Sequence, residues 1–151
     1  MFDTKNLNYE GFHERAKDEA KQIFSKPSTR KGRSLEKIIE TVEYGHKAEW
    51  FLIQKMGYTD NPAKFHDVID PDGNWVEIKC TKIQQYIPRV IENLNDHRRN
   101  LDLWGKPAAD KAVIFVNDPN ENTYYKFGGY YEWDGFKFSE KNCLHLSQGM
   151  V

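Results

Sequence analysis

Two carboxylates and a lysine, Asp67, Glu77 and Lys79, are the residues of this chain whose types and spacing best suit catalysis. Glu77 and Lys79 are separated by a single residue, which would place both side chains on one face of a β-strand. Paired carboxylates bind hard divalent cations such as Mg²⁺, and a neighbouring ammonium group can orient water or stabilise negative charge. The set therefore indicates a site for a divalent cation with a basic group beside it.

The segment that carries these residues, 64–80, is predicted to form a β-hairpin. Its turn, 71–73, has the sequence Pro-Asp-Gly. The first two of these residues suit a type I turn, and Gly73 suits the left-handed position that follows it. A loop of this kind fixes the register of the two strands by pairing Asp70 with Asn74.

In this register Asp67 lies opposite Glu77, and both share one face of the hairpin with Lys79. Facing carboxylates about 5 Å apart repel each other, and a divalent cation between them would remove the repulsion. The opposite face is apolar and is predicted to lie in the core; it consists of Val68, Val76, Ile78 and Cys80.

A third carboxylate, Glu49, lies on the predicted core stripe of a helix over 35–56. Ser34 suits the N-cap of this helix, and Gly57 suits its end. Burial of a carboxylate is costly unless a cation compensates it, so Glu49 is a candidate for the same site. The alternative is that Glu49 lies at the margin of the stripe and reaches water.

The remaining segments alternate between predicted helices and strands, with no internal repeat or linker. The run 112–116 is continuously apolar, as in a strand buried on both faces. The other predicted elements are helices over 9–24 and 87–103, a loop over 25–33, a strand over 123–127, and a two-residue hairpin loop, 134–135, between strands over 130–133 and 136–138.

The chain has 151 residues, the usual length of one domain, so we expect a single core. We divide it into an N-terminal helix and basic loop (1–34), a catalytic core (35–127), and a C-terminal hairpin and tail (128–151). Hydrophobic residues make up 38% and charged residues 30% of the chain, which is typical of a globular protein and not of a disordered tail.

The net charge of -1 argues against nucleic-acid binding by overall charge, because phosphates are neutralised by clustered Lys and Arg. Carboxylates that hold a cation count as negative in that sum, so the distribution of charge matters more. Cys80 and Cys143 form neither a disulfide framework nor a zinc pattern, and no signal or spanning segment is evident. We therefore expect a cytoplasmic, prokaryotic or phage-encoded protein without a membrane partner.

The order of helix with a buried Glu, strand with Asp, hairpin, strand with Glu-x-Lys, helix and apolar strand resembles the core of the PD-(D/E)xK nucleases. The residues that carry the resemblance are Glu49, Asp67, Glu77 and Lys79. Their spacing is similar to that in small dimeric type II restriction endonucleases. The resemblance implies an α/β (α+β) fold with a restriction-endonuclease-like core, in which helices flank a central mixed β-sheet.

The resemblance also implies roles for these residues. Asp67 and Glu77 would bind Mg²⁺, which Mn²⁺ can replace, together with the Ile78 carbonyl, and Lys79 would position or activate the attacking water. Glu49 matches an acidic residue that supports a metal-bound water or a second cation. The implied activity is a Mg²⁺-dependent endonuclease that acts on double-stranded DNA. A homo-oligomer, dimer or tetramer, is expected because two DNA strands require two sites.

Further residues are candidate DNA contacts, each with a structural alternative as a connector or an ordinary surface residue: Arg30, Lys31, Arg33, His46, His66, Gln84 and Gln85. Several functions stay open. The protein could be a type II restriction-like or homing endonuclease, or a phage-type or junction-resolving nuclease. Outside the nucleases, it could be an inactive nucleic-acid-binding module of the same fold or a structural interaction protein.

Overall fold

The computed structural model describes residues 2–3, 7–8, 10–60, 67–118 and 121–149. Residues 64–66 of the predicted hairpin, which include His66, lie outside these ranges. Within the described ranges, no helix has the length and apolar character needed to cross a membrane.

The described residues form a mixed β-sheet with helices on both of its faces. The helices are α1 (Phe12–Phe24), α2 (Pro27–Arg30), α3 (Leu35–Lys55), α4 (Ile87–Leu103) and α5 (Leu144–Gly149), with a 3₁₀ turn at Gln84–Tyr86. The strands are β1 (Phe2–Asp3), β2 (Thr59–Asp60), β3 (Val68–Ile69), β4 (Trp75–Thr81), β5 (Lys111–Asp118), β6 (Glu121–Trp133) and β7 (Phe138–Lys141).

The sheet has the strand order β1-β6-β5-β4-β3-β2, and β7 also pairs with β6. Only the β4–β5 pair is parallel among the strand pairs of the described residues. A parallel pair needs a crossover connection, and α4 supplies it. The expected α+β architecture with helices around a mixed sheet is therefore confirmed.

Each face of the sheet carries its own apolar core. The core below α3 is built from Ala48, Phe51 and Leu52 of that helix together with Val68, Val76, Ile78, Val113, Phe115, Tyr130 and Leu146. The core below α4 contains Ile87, Leu94, Ala112, Ile114, Val116, Tyr131 and Phe138. Residues Ala112 to Val116 alternate between the two cores, which confirms the prediction that this strand is buried on both faces.

The predicted hairpin register is confirmed. Ile69 pairs with Trp75, and the Asp70 amide donates to the Asn74 carbonyl at 2.9 Å. Gly73 has φ 85°, the left-handed conformation that the turn requires. The buried Asp70 side chain also accepts from the Asn74 amide at 2.9 Å, so it stabilises the turn from within.

The predicted ends of α3 and α4 are also correct. The Ser34 hydroxyl accepts a hydrogen bond from the Lys37 amide at 3.1 Å, as an N-cap does. Gly57 follows α3 with φ 76°. α4 begins at Ile87 and ends at Leu103, as its apolar periodicity predicts.

Three predictions of local structure are wrong. The segment 25–33 is not wholly a loop, because Pro27 begins the short helix α2. The strand predicted over 123–127 continues to Trp133, since Gly128 and Gly129 accommodate a bulge opposite β5 and do not end the strand. The hairpin loop after it is 134–137, because Trp133 pairs with Phe138.

Candidate active site

Asp67 lies near Glu77 at the end of the β3–β4 pair. The paired positions end at Val68 and Val76, and the amide of Asp67, one residue before β3, donates to the Val76 carbonyl at 3.2 Å. After burial, the charge of Asp67 is the largest influence that raises the pKa of the Glu77 carboxyl, so the two side chains are close. The Asp67 carboxylate also accepts a hydrogen bond from the Ile78 amide, with 2.7 Å between the nitrogen and Oδ2. The hairpin thus brings together the two carboxylates that the sequence predicts to be neighbours.

The Ile78 main chain points toward Asp67, on the β3 side of β4. In a strand the N–H and C=O of one residue point toward the same neighbour, and the Ile78 amide points to Asp67. Its carbonyl therefore lies on the β3 side of β4, away from β5. The Ile78 side chain points into the core below α3 and is 6% exposed.

Glu49 reaches this region from α3. Its side chain is 18% exposed, which confirms that the position is largely buried. His46, one turn earlier on the same helix, contacts Glu49 Oε2 through Nδ1 at 2.8 Å. The other ring nitrogen of His46, Nε2, lies 2.5 Å from Glu19 Oε2 on α1. A histidine flanked by two carboxylates therefore compensates the burial of Glu49.

The charge of His46 follows from these contacts. Burial disfavours the imidazolium, but the hydrogen bonds to Glu19 and Glu49 and their negative charges outweigh burial and raise the pKa of His46 to about 10. At neutral pH His46 is a cation between two acidic groups. The hydrogen bond with His46 also lowers the pKa of the Glu19 carboxyl.

The carboxylates of the cluster influence one another. Burial, and then the charge of Asp67, raise the pKa of Glu77 to about 8, against the opposing charge of Lys79. Burial is also the main cause of the raised pKa of Glu49; Asp67 adds to it and His46 opposes it. Burial raises the pKa of the Cys80 thiol, and the charges of Glu49 and Asp67 raise it further. The charges of Asp67, just before β3, and of Glu49 on α3 therefore both act on the Glu77 carboxyl of β4.

Lys79 lies on the same face of β4 as Glu77, as predicted, but its side chain is exposed. It lines a surface cavity of about 350 Å³ between β4 and α4, where His97 forms part of the opposite wall. Glu77 and His97 also line a smaller hollow under the same helix. The site thus opens toward α4 through Lys79 and His97 and toward α3 through Glu49.

Two residues at the site were not singled out from the sequence as parts of it. Glu19 lies on another helix, and its contact with His46 depends on how α1 packs against α3, which one sequence does not specify. His97 lies beside Lys79 because of the way α4 packs on the sheet, which one sequence does not specify either. A signal for the contact between His46 and Glu49 was present, because they are three positions apart on one helix and such residues are neighbours.

Two basic residues of the segment 25–33, Arg30 and Arg33, make contacts within this part of the protein. Arg33 donates to the carbonyls of Arg30 and Thr29, at 3.1 and 2.8 Å, and thereby caps α2. The Arg30 guanidinium lies 5.0 Å from the centre of the Phe24 ring. Lys31 is exposed at the end of α2. Two of the five N–H donors of the Arg33 guanidinium are used in this cap.

The other candidate DNA contacts have different surroundings. Gln84 and Gln85 are exposed in the 3₁₀ turn between β4 and α4, so both are accessible to a ligand. His46 uses both ring nitrogens in contacts with Glu19 and Glu49. Its position favours a role in holding Glu49 over direct contact with phosphate.

The donor set fits a hard divalent cation. Asp67, Glu77 and the Ile78 carbonyl supply oxygen ligands of the kind that Mg²⁺ and Mn²⁺ prefer, and the raised pKa of Glu77 marks negative charge that a cation would stabilise. Within the part of the chain that the structure describes, no three His, Cys, Asp or Glu side chains meet closely enough to hold a metal by themselves. The set consists of the Asp67 and Glu77 carboxylates and the Ile78 carbonyl.

No family model, curated protein or solved structure matches this chain.

Proposed function

We propose that this protein is a Mg²⁺-dependent DNA endonuclease of the PD-(D/E)xK type, acting as a type II restriction-like or homing endonuclease. The observation that carries the proposal is the proximity of the Asp67 and Glu77 carboxyl groups beside the Ile78 main chain. Such a like-charged, half-buried pair is unfavourable in a purely structural hairpin. Lys79 on the same face and Glu49 on α3 complete the set that phosphodiester hydrolysis requires.

The residues of the site would have different roles in cation binding and water orientation. Asp67, Glu77 and the Ile78 carbonyl would hold the cation, and Glu49 would support it from α3 through the oxygen that His46 leaves available. When bound, the ion would stabilise negative charge on the phosphoryl oxygens and lower the pKa of a bound water. The exposed ammonium of Lys79 is accessible to a phosphate group approaching the α4 side and would orient the attacking water there.

Double-stranded DNA is the proposed partner, and a homodimer or tetramer is the proposed working form. The pair of Asp67 and Glu77 would serve one DNA strand, whereas cutting both strands of a duplex requires two such sites. Gln84 and Gln85, which are exposed directly after β4, and Lys31 are candidate contacts with DNA. A phage-type or junction-resolving nuclease would use the same residues on a different DNA shape.

An inactive nucleic-acid-binding module of the same fold is the second candidate. It is favoured by one observation: Asp67 already accepts a hydrogen bond from the Ile78 amide, so one of its oxygens is occupied within the chain. An active enzyme would keep the other oxygen for the cation. The two candidates differ in whether divalent metal converts bound DNA into product.

Supercoiled plasmid incubated with the purified chain tests the proposal. We expect nicked and linear products with Mg²⁺ or Mn²⁺ and none with EDTA, and we expect Glu77→Gln to abolish them. Glu92→Gln, on the exposed surface of α4, is the matched control and should cut normally. Retarded DNA without cleavage at any metal concentration would favour the inactive module, and wild-type cleavage by Glu77→Gln would reject the site.

A further inference from the structure

A second cavity, of about 140 Å³, opens at the carboxyl ends of the parallel strands β4 and β5. One wall is the exposed side of α3, with Glu40, Tyr44 and Lys47, and the other contains Lys82 and Asn117. The carboxyl ends of parallel strands are a frequent location of ligand sites in proteins with helices packed on a sheet. The cavity shares none of the residues that we assign to cation binding.

Asn117, which lines this cavity, carries an unsatisfied amide oxygen. Asn117 is 4% exposed, and its Oδ1 atom has no hydrogen-bond partner among the residues that the structure describes. Along β5, Val113 and Phe115 pack below α3, so the alternation of the strand directs Asn117 to the same side. Buried polar atoms are nearly always hydrogen bonded. A group with an N–H or O–H donor is therefore expected at this position.

The mouth of the cavity combines an aromatic ring with two lysines. The Tyr44 hydroxyl donates to the Thr81 carbonyl at 2.8 Å and thereby fixes the ring against the end of β4. Lys82 Nζ lies 6.0 Å from the centre of that ring. Lys47 follows Tyr44 by three positions on α3, so the two side chains lie on one side of the helix. Both ammonium groups are positioned to meet an anion at the entrance.

The acidic residues at the rim have contacts of their own. Glu40 Oε1 lies 3.7 Å from Lys37 Nζ, and Glu43 Oε1 lies 3.0 Å from His13 Nδ1. The negative charge of the rim is thus directed partly toward α1 and the outer surface of α3. This distribution leaves the positive charge of Lys82, on the opposite wall, facing the entrance.

We propose that this cavity binds one nucleotide, whose base donates an N–H group to Asn117 Oδ1 and whose phosphate lies against Lys47 and Lys82. Amino groups on the bases supply such donors. At about 30 Å³ for each water molecule, the cavity holds the volume of only a few waters, which suits a single planar ring. The nucleotide is either a free mononucleotide or an unpaired residue of a DNA strand; only the second source rests on the proposed nuclease function.

The test uses ¹⁵N-labelled protein titrated with the four deoxynucleoside 5′-monophosphates in EDTA and followed by NMR. We expect at least one of them to shift the side-chain amide signals of Asn117, which are identified by their loss in Asn117→Leu. Asn117→Leu and Lys82→Gln should each weaken binding about tenfold or more. The control variants Asn100→Leu and Lys55→Gln carry the same changes on exposed positions of α4 and α3 and should bind as wild type.

The results distinguish the two sources of the nucleotide. They also distinguish failure of this proposal from failure of the proposed nuclease function. Shifts with a short single-stranded oligonucleotide but not with mononucleotides would support the cavity and identify the DNA strand as the source. No shift with either, or equal affinity in wild type and Lys82→Gln, would overturn the proposal; because Lys82 is exposed, this arm remains informative if Asn117→Leu does not fold. Binding by a wild-type protein that cuts no plasmid would reject the nuclease function and keep the cavity.

Discussion

Replacing Glu77 by Gln should stabilise the protein in the absence of metal. The substitution keeps the shape and hydrogen-bonding capacity of the side chain and removes one charge beside Asp67. Burial and the Asp67 charge hold the pKa of Glu77 at about 8, compared with an ordinary value of 4.5. Ionised Glu77 is therefore destabilising in the folded chain, whereas the protonated carboxyl carries no such cost.

The magnitude follows from this difference in pKa. A rise from 4.5 to about 8 corresponds to about 5 kcal/mol at about 1.4 kcal/mol per pKa unit. Because the site is open to solvent at Lys79, screening reduces this value, and we expect about 1–2 kcal/mol. Between pH 4.5 and 8 the folded state holds the proton that the unfolded state releases, so wild-type stability falls as pH rises through this window. Glu77→Gln should therefore add little to the free energy of unfolding below pH 4.5 and should add its full contribution above about pH 8.

Urea denaturation in EDTA at about pH 4.5 and about pH 9 measures the effect, with Glu92→Gln as the control for loss of an exposed carboxylate. We expect Glu77→Gln to raise the free energy of unfolding at the higher pH and to leave it nearly unchanged at the lower. Addition of Mg²⁺ at about ten times its dissociation constant should then stabilise wild type by about 1.4 kcal/mol and leave Glu77→Gln unchanged. An equal gain at both pH values, or none, would refute the inferred repulsion between Asp67 and Glu77.

Three further changes test other parts of the site. Lys79→Ala should slow single-turnover cleavage far more than it weakens DNA binding in an equilibrium assay, and an equal loss in both would make Lys79 a simple phosphate contact. His46→Gln should lower the free energy of unfolding by about 1–3 kcal/mol in urea, because Glu49 loses its cation, and combining it with Glu49→Gln should recover most of that loss. Gly73→Val should strain the turn and weaken Mg²⁺ binding measured by calorimetry, and unchanged affinity would show that the hairpin register does not position the carboxylates.

The hairpin could be predicted from sequence because its register is a local property. The turn residues before and at Gly73 define the pairing of Asp70 with Asn74, and the alternation of a strand then places Asp67, Glu77 and Lys79 on one face. The burial of Glu49 followed in the same way from the periodicity of its helix. In both cases the information lies within a few residues of the feature that it determines.

Other features could not be predicted because they depend on packing between distant segments. The contact of Glu19 with His46 requires α1 to lie against α3, and the exposure of Lys79 depends on the distance between α4 and the sheet. The continuous strand β6 was interrupted in the prediction at Gly128 and Gly129, where glycine normally weakens a strand. In the folded chain a side chain at Gly128 would lie 2.8 Å from the Ile114 carbonyl oxygen, so close approach to β5 explains the glycine.

The claim on which cleavage and the residue roles both depend is that a divalent cation binds between β3 and β4. Mn²⁺ titrated in substoichiometric amounts into ¹⁵N-labelled protein tests it directly, because the paramagnetic ion broadens the amide signals nearest to it. We predict that the signals of Asp67, Glu77, Ile78 and Lys79 disappear first, and that they persist in Glu77→Gln. First loss of signals at exposed acidic residues such as Glu14 or Glu92, with the β4 signals intact, would contradict the proposed cation site.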